Sequence, residues 1–146
     1  MLFRSPHAGE MATLLDRSIE ECLENPVSTV KKAAEKYNAC VVFKGPHTVI
    51  GYPDGSCYIN MTGNSGMATP GSGDVLCGTV MGLFGLGFDY YTAARMGVLV
   101  HGAAGDLAAA EIGPDGITAT DILNHLPAAV KNLRESEPYP FIKTVL

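Results

Sequence analysis

The chain has 146 residues, 47% hydrophobic and 17% charged, with a formal charge of −5, 17 glycines and 9 prolines. Its length predicts a single domain over residues 1–146, and its apolar content excludes disorder. The acidic balance excludes a generic nucleic-acid or anionic-membrane binder, which needs excess Lys and Arg.

Leu2-Phe3 reads as the stub of a strand. From Gly9 to about Leu23, Met11, Leu14, Leu15, Ile19, Cys22 and Leu23 recur at helical spacing and predict one helix. Ser28 is positioned to cap a second helix ending near Tyr37. Cys40 to Phe43 is a short β-rich run, read as a buried strand. Thr48–Tyr52 and Ser56–Asn60 flank the turn signal Pro53-Asp54-Gly55 and predict a hairpin. A glycine loop then enters a helix near Asp74 to Leu86, and Asp89 can cap an Ala/Gly-rich helix to about Ala110. Thr120 is the expected cap of a last helix, interrupted or restarted at Pro127. This alternation predicts an α/β layered domain.

The N-terminal MLFRSPHAGEM carries no secretory apolar run. Val75–Phe88 is shorter than the ~20 residues of a membrane span, and four glycines interrupt it. Cys22, Cys40, Cys57 and Cys77 form no CxxC and no Cys/His cluster, so they read as ordinary apolar residues of a reducing compartment. A cytoplasmic protein with no membrane partner is expected.

Eight of the glycines fall between Gly63 and Gly87. Within that run, GNSGMATPGSGDVL passes straight from a glycine loop into an apolar helix. The unpaired amides and positive dipole end of such a helix make an anion site, and Gly71 and Gly73 let a phosphate approach them. Asp74 suits a base that takes the proton of a hydroxyl attacking that phosphate. A helix cap explains the same carboxylate. Lys44-Gly45-Pro46-His47-Thr48 follows a predicted strand, where ligands gather in parallel α/β sheets. It can hold a nucleotide's phosphates or sugar, and a plain polar strand-to-strand turn also explains it. His7, in Ser5-Pro6-His7-Ala8-Gly9-Glu10, is a candidate donor to a substrate or a merely solvated side chain, while Glu10 suits a first helical turn. His101 is expected to be packed and hydrogen-bonded, and His125 to lie on the surface. Neither GxSxG nor GxxxxGK[ST] is present.

In combination, SPHAGEM, KGPHT, GNSGMATPGSGDVL and the HGAAGD of His101–Asp106 resemble the ADP- or ATP-dependent NAD(P)H-hydrate dehydratases of the ribokinase-like superfamily. The resemblance runs over nearly the whole chain. It implies a three-layer α/β/α fold and repair of NADH or NADPH hydrated across the nicotinamide C5–C6 bond. A nucleotide phosphorylates the new hydroxyl, and phosphate is then expelled by the ring nitrogen. On this chain the resemblance makes Asp74 the base and Gly71, Ser72 and Gly73 the anion hole. It gives Lys44, Gly45, Pro46, His47, Thr48 and Gly73 to the nucleotide, and His7 and Asp74 to the hydrated dinucleotide. ADP or ATP is the implied phosphoryl donor, with Mg²⁺ to spread phosphate charge.

Three positions depart from the family pattern: Ala8 replaces a second proline, Ser65 replaces a proline, and Pro70 stands where glycine is usual. The family domain is about twice as long, so the sequence corresponds to its C-terminal half. Self-association, or association with a missing N-terminal half, is therefore expected to cover an exposed sheet edge and the Ala/Gly-rich face. Two other functions fit the motifs: a small-molecule kinase of the same superfamily (sugar or hydroxymethylpyrimidine type), and a non-catalytic nucleotide-binding remnant.

Overall fold

The computed structural model describes residues 2–135 and 142–144. The chain divides into two compact units between Asn60 and Met61, with residues 142–144 belonging to the first.

The first unit is built on a five-stranded sheet in the order β1-β2-β3-β4-β5. The strands are β1 (Leu2–Arg4), β2 (Ala39–Phe43), β3 (Val49–Gly51), β4 (Cys57–Asn60) and β5 (Ile142–Thr144). Only β1 and β2 are parallel, with Phe3 opposite Cys40. The remaining pairs are antiparallel, so the α/β class holds with a small mixed sheet. The rule about carboxyl ends of parallel strands therefore applies to one pair, β1 and β2. Every β2 residue is buried, as its unbroken apolar run requires. The β3–β4 hairpin closes as expected: Gly55 takes φ 84°, and Asp54 Oδ1 accepts from the Ser56 amide at 2.9 Å.

Three helices connect β1 to β2: α1 (Ala8–Leu15), α2 (Ile19–Glu24) and α3 (Pro26–Tyr37). The single helix expected over residues 9–23 is thus broken. Asp16 adopts φ 55° at the end of α1, and its amide donates back to Ala12 and Thr13. Ser18 and Glu21 then start α2 with a reciprocal capping box. The cap of α3 is Asn25 rather than Ser28; its Oδ1 accepts from the Ser28 amide at 3.0 Å, and Pro26 occupies the first turn, where no donor is needed. Helix α3 packs on β2 and β3. The core between helices and sheet holds Met11, Cys22, Val30, Ala33, Ala34, Val41, Phe43, Val49 and Cys57. Burial pushes the Cys40 thiol up to about 12, consistent with an inert, apolar role.

The second unit contains a 3₁₀ turn at Ser65–Met67 and helices α4 (Ser72–Gly85), α5 (Tyr90–Ile112) and α6 (Ala119–Glu135). Asp89 caps α5 as expected, accepting from the Tyr91 and Thr92 amides. Thr118, not Thr120, begins α6: its carbonyl accepts from Ile122, and it exchanges bonds with Asp121 in a capping box. The helix runs through Pro127 without restarting. Pro127 lies on the exposed side of the helix and donates no N–H to the preceding turn. Val100, Ala103, Ala104, Ile122 and Ala129 form the centre of this unit's core, joined by Met67, Val75 and Leu126.

Small residues on α5 admit the segment before α4. A Cβ at Gly102 would lie 2.2 Å from Thr62 Oγ1, and one at Gly105 would lie 2.2 Å from Met67 Sδ. Part of the Ala/Gly-rich face expected to await another chain is thus occupied inside this unit. No helix among the described residues is long and apolar enough to cross a membrane.

Candidate active site

In the first unit, β1 and β2 end side by side and their following loops are tied together. The Lys44 amide donates to the Pro6 carbonyl at 2.9 Å. His7 caps α1 through Nδ1, which accepts from the Gly9 and Glu10 amides at 3.1 and 3.2 Å. Glu10 completes a capping box by accepting from the His7 amide at 2.8 Å. Accepting at Nδ1 leaves the proton of a neutral ring on Nε2, which lies 3.6 Å from Glu10 Oε2. Lys44 Nζ stands 3.8 Å from Glu10 Oε2 and is largely covered. Gly45, Pro46 and His47 are exposed along the β2–β3 connection, and Thr48 Oγ1 lies 3.4 Å from the Gly45 carbonyl. The structure thus brings together His7, Glu10 and Lys44 and leaves the rest of the loop open. His7, expected only as a substrate contact or a solvated side chain, is also the cap of α1.

In the second unit, Gly71 begins α4 with φ 85°, a conformation a side chain would strain. The helix has no side-chain cap, so Asp74 does not serve as one. Asp74 is exposed in the first turn and makes no side-chain hydrogen bond among the described residues. The amides of Asp74 and Val75 donate to the Gly71 carbonyl, and the Ser72 amide donates to Thr69 at 3.2 Å. Among the described residues this leaves the Gly71 and Gly73 amides without internal acceptors. Ser72 differs from its two neighbours: its N–H is used internally, and the residue is buried.

The loop feeding α4 is held by Asp106, a residue quoted in the HGAAGD motif but given no role from sequence. Its carboxylate accepts from the Gly63 amide at 2.8 Å and from Asn64 Nδ2 at 3.0 Å. Asn64 in turn donates to the Gly105 carbonyl and accepts from the Gly66 amide, each at 3.0 Å. The available signals are the HGAAGD motif itself and Asp106's place as the first charge after Arg95. His101 is buried as expected, with Nε2 3.0 Å from the Ser72 carbonyl and 3.5 Å from the Ser72 hydroxyl. Burial holds its pKa below the ordinary histidine range, partly opposed by the bond to Ser72. His125 is not a plain surface residue. Its Nδ1 lies 2.7 Å from the Asp121 carbonyl and its Nε2 3.0 Å from Glu111 Oε2, and these contacts raise its pKa.

The described residues contain no group of three or more His, Cys, Asp or Glu side chains able to hold a metal. What the second unit offers is a helix N-terminus with two amides left without internal acceptors and an exposed carboxylate in the same turn.

An α/β fold with this glycine loop places the protein in the carbohydrate-kinase-like class. Hydroxyethylthiazole kinase from Pyrococcus horikoshii shares the fold at 18% identity, with a TM-score of 0.81 over 100% of this chain and 56% of that one. More narrowly, the chain belongs to the NAD(P)H-hydrate dehydratase family, whose profile matches residues 4–128. It is 53% identical over 131 residues to the bifunctional NAD(P)H-hydrate repair enzyme Nnr of Thermofilum pendens, covering 90% of this chain and 25% of that protein. It is 39% identical over 106 residues to the ADP-dependent (S)-NAD(P)H-hydrate dehydratase of Neisseria meningitidis, covering 73% of this chain and 36% of that protein. The ADP/ATP-dependent NAD(P)H-hydrate dehydratase of Bacillus subtilis, co-crystallized with ATP/Mg²⁺, superposes with a TM-score of 0.86 at 31% identity. That match covers 89% of this chain and 47% of the other. The chain thus spans about half the length of the Bacillus protein and a quarter of the first bifunctional relative.

Proposed function

We propose that this chain carries the phosphoryl-transfer half of a nucleotide-dependent dehydratase acting on hydrated NADH or NADPH. The observation that carries the reading is the first turn of α4, where the free Asp74 carboxylate stands beside unpaired glycine amides. Membership in the dehydratase family supports it.

In this reading Asp74 takes the proton from the hydroxyl of the hydrate as that oxygen attacks the terminal phosphorus of ADP or ATP. The P–O bond to the leaving nucleotide breaks, releasing AMP or ADP. The amides of Gly71 and Gly73 stabilise charge on the transferring phosphoryl group, and Ser72 holds its place between them. The ring nitrogen's electron pair then expels phosphate from C6, and loss of a C5 proton restores the dihydronicotinamide. Lys44 to Thr48 bind the nucleotide, and the Nε2 proton of His7 is donated to the hydrated dinucleotide. Mg²⁺ carried by the nucleotide's phosphates would spread their charge. Self-association through the free edge of β1 belongs to the same reading, and sedimentation velocity giving a compact monomer at high concentration would count against it.

The test incubates the purified chain with hydrated NADH or NADPH plus ADP or ATP and follows the returning dihydronicotinamide absorbance, with Asp74→Ala in parallel. Turnover should fall at least ~100-fold in the variant, the low end for a positioned acid–base group. The thermal midpoint should stay unchanged, because Asp74 has no described internal partner. Undiminished turnover in Asp74→Ala would remove the base. Saturable nucleotide binding without any turnover would leave a binding module.

A further inference from the structure

We infer that His101 is a positioning residue that sets the direction of the Gly73 amide by holding the Ser72 carbonyl. The functional weight of this inference rests on the reading above, in which the Gly73 N–H faces phosphate.

A peptide unit is planar, and in a trans unit the carbonyl and the following N–H point in opposite directions. The oxygen of Ser72 and the amide of Gly73 belong to one such unit, and it is trans. Fixing the oxygen therefore fixes the amide. His101 Nε2 lies 3.0 Å from that oxygen, and a carbonyl only accepts, so the ring must be protonated at Nε2. Because burial favours the uncharged ring, the donor operates without adding a cation.

Local chain chemistry explains why an external tie matters here. Ser72 lies between Gly71, at φ 85°, and Gly73, so the backbone on either side is unusually free to rotate. The Gly73 N–H is one of the first-turn donors for which the helix supplies no acceptor of its own. The Ser72 amide is tied to Thr69, while the Gly73 amide has no acceptor among the described residues. His101 reaches from α5 and ties the first turn of α4 to a neighbouring helix. Ser72 and His101 are both 8% exposed, so water competes poorly for this bond.

The experiment uses amide NMR of the full chain in three forms: wild type, His101→Leu and His101→Gln. Leucine fills the space without a donor, and glutamine restores an N–H near the Nε2 position. In His101→Leu without ligand, Gly73 should show millisecond exchange broadening that is absent from the wild type. Its affinity for inorganic phosphate, read from the Gly73 shift, should fall about tenfold, the size of one net hydrogen bond. His101→Gln should recover most of both, which a general packing defect would not. A folded His101→Leu with a quiet Gly73 and unchanged phosphate affinity overturns the inference. If wild-type Gly73 ignores phosphate while His101→Leu still broadens it, the positioning role stands and the proposed phosphate site falls. Should His101→Leu fail to fold, the wild-type imidazole nitrogen spectrum decides. A proton on Nε2 is expected, and a proton on Nδ1 alone overturns the inference.

Discussion

Around the start of α4 the candidate donors are main-chain amides, and the nearby side chains of Asn64, His101 and Asp106 act by bonding to backbone. In the loops that follow β1 and β2, and in the first turn of α1, the arrangement is reversed. There His7, Glu10 and Lys44 are themselves the candidate groups, held in a capping box and an ion pair. A site made of amides has no side chain to delete, so it is sensitive to added atoms and to loss of its tethers. A site made of side chains is sensitive to truncation. The two regions should consequently fail under opposite kinds of mutation.

The largest expected effect comes from adding a single methyl group to the first kind. A Cβ at Gly66 would lie 2.0 Å from the Pro114 carbonyl oxygen and 2.8 Å from its carbon. Both are backbone atoms of the loop joining α5 to α6, so neither can rotate aside. Gly66→Ala should cost about 3 kcal/mol, the upper end of ordinary overpacking, measured as a loss in urea unfolding free energy at constant slope. In contrast Gly45→Ala, where nothing lies within 4 Å, should leave stability unchanged. Equal costs at the two glycines would erase the distinction between the regions.

The same contrast governs what could be read from sequence. The glycine loop, the Asp89 cap and the Pro53-Asp54-Gly55 turn were legible because each depends on local chain chemistry. Family motifs single out His7, Lys44 and Asp74 as candidates, and the structure shows the local contacts of the first two. The break at Asp16 was hidden by apolar spacing that continued across it, although Ser18 and Glu21 carried a readable capping box. Asp106 and His101 act on Gly63 and Ser72 from 43 and 29 residues away, so no local pattern announces their partners. Strand β5 pairs antiparallel with β4, and its three residues are too few to show an alternation that would mark it.

His7 gives the side-chain region its own test, because the structure gives its ring a structural duty beside the proposed substrate contact. His7→Ala removes the acceptor for two first-turn amides and should cost about 1 kcal/mol of stability, as other lost caps do. His7→Asn keeps a side-chain acceptor but lacks the Nε2 proton. Stability should return while KM for the hydrated dinucleotide stays raised. If asparagine restores both, His7 is a cap and nothing more.

The smallest effect concerns electrostatics between α5 and α6. His125 on α6 faces two acceptors, the Asp121 carbonyl at 2.7 Å and the Glu111 carboxylate of α5 at 3.0 Å. A neutral ring can donate to only one of them, so the charged form is favoured and its pKa lies above the ordinary histidine value of 6.5. The sign follows: the stabilisation is fully present below pH 6.5 and is lost as pH rises through the raised folded value. Its size should be about 0.5 kcal/mol, since Glu111 is 73% exposed and water screens the pair. Thermal midpoints of wild type and His125→Gln should therefore differ at pH 5 to 6 and converge in alkaline buffer. His101 supplies the opposite sign, because its depressed pKa makes the unfolded chain bind the proton more readily below 6.5. Removing His101 should lessen acid-side destabilisation, and removing His125 should lessen the alkaline-side loss. Were both variants to move the pH profile in the same direction, the contacts assigned to one of the two rings would be wrong.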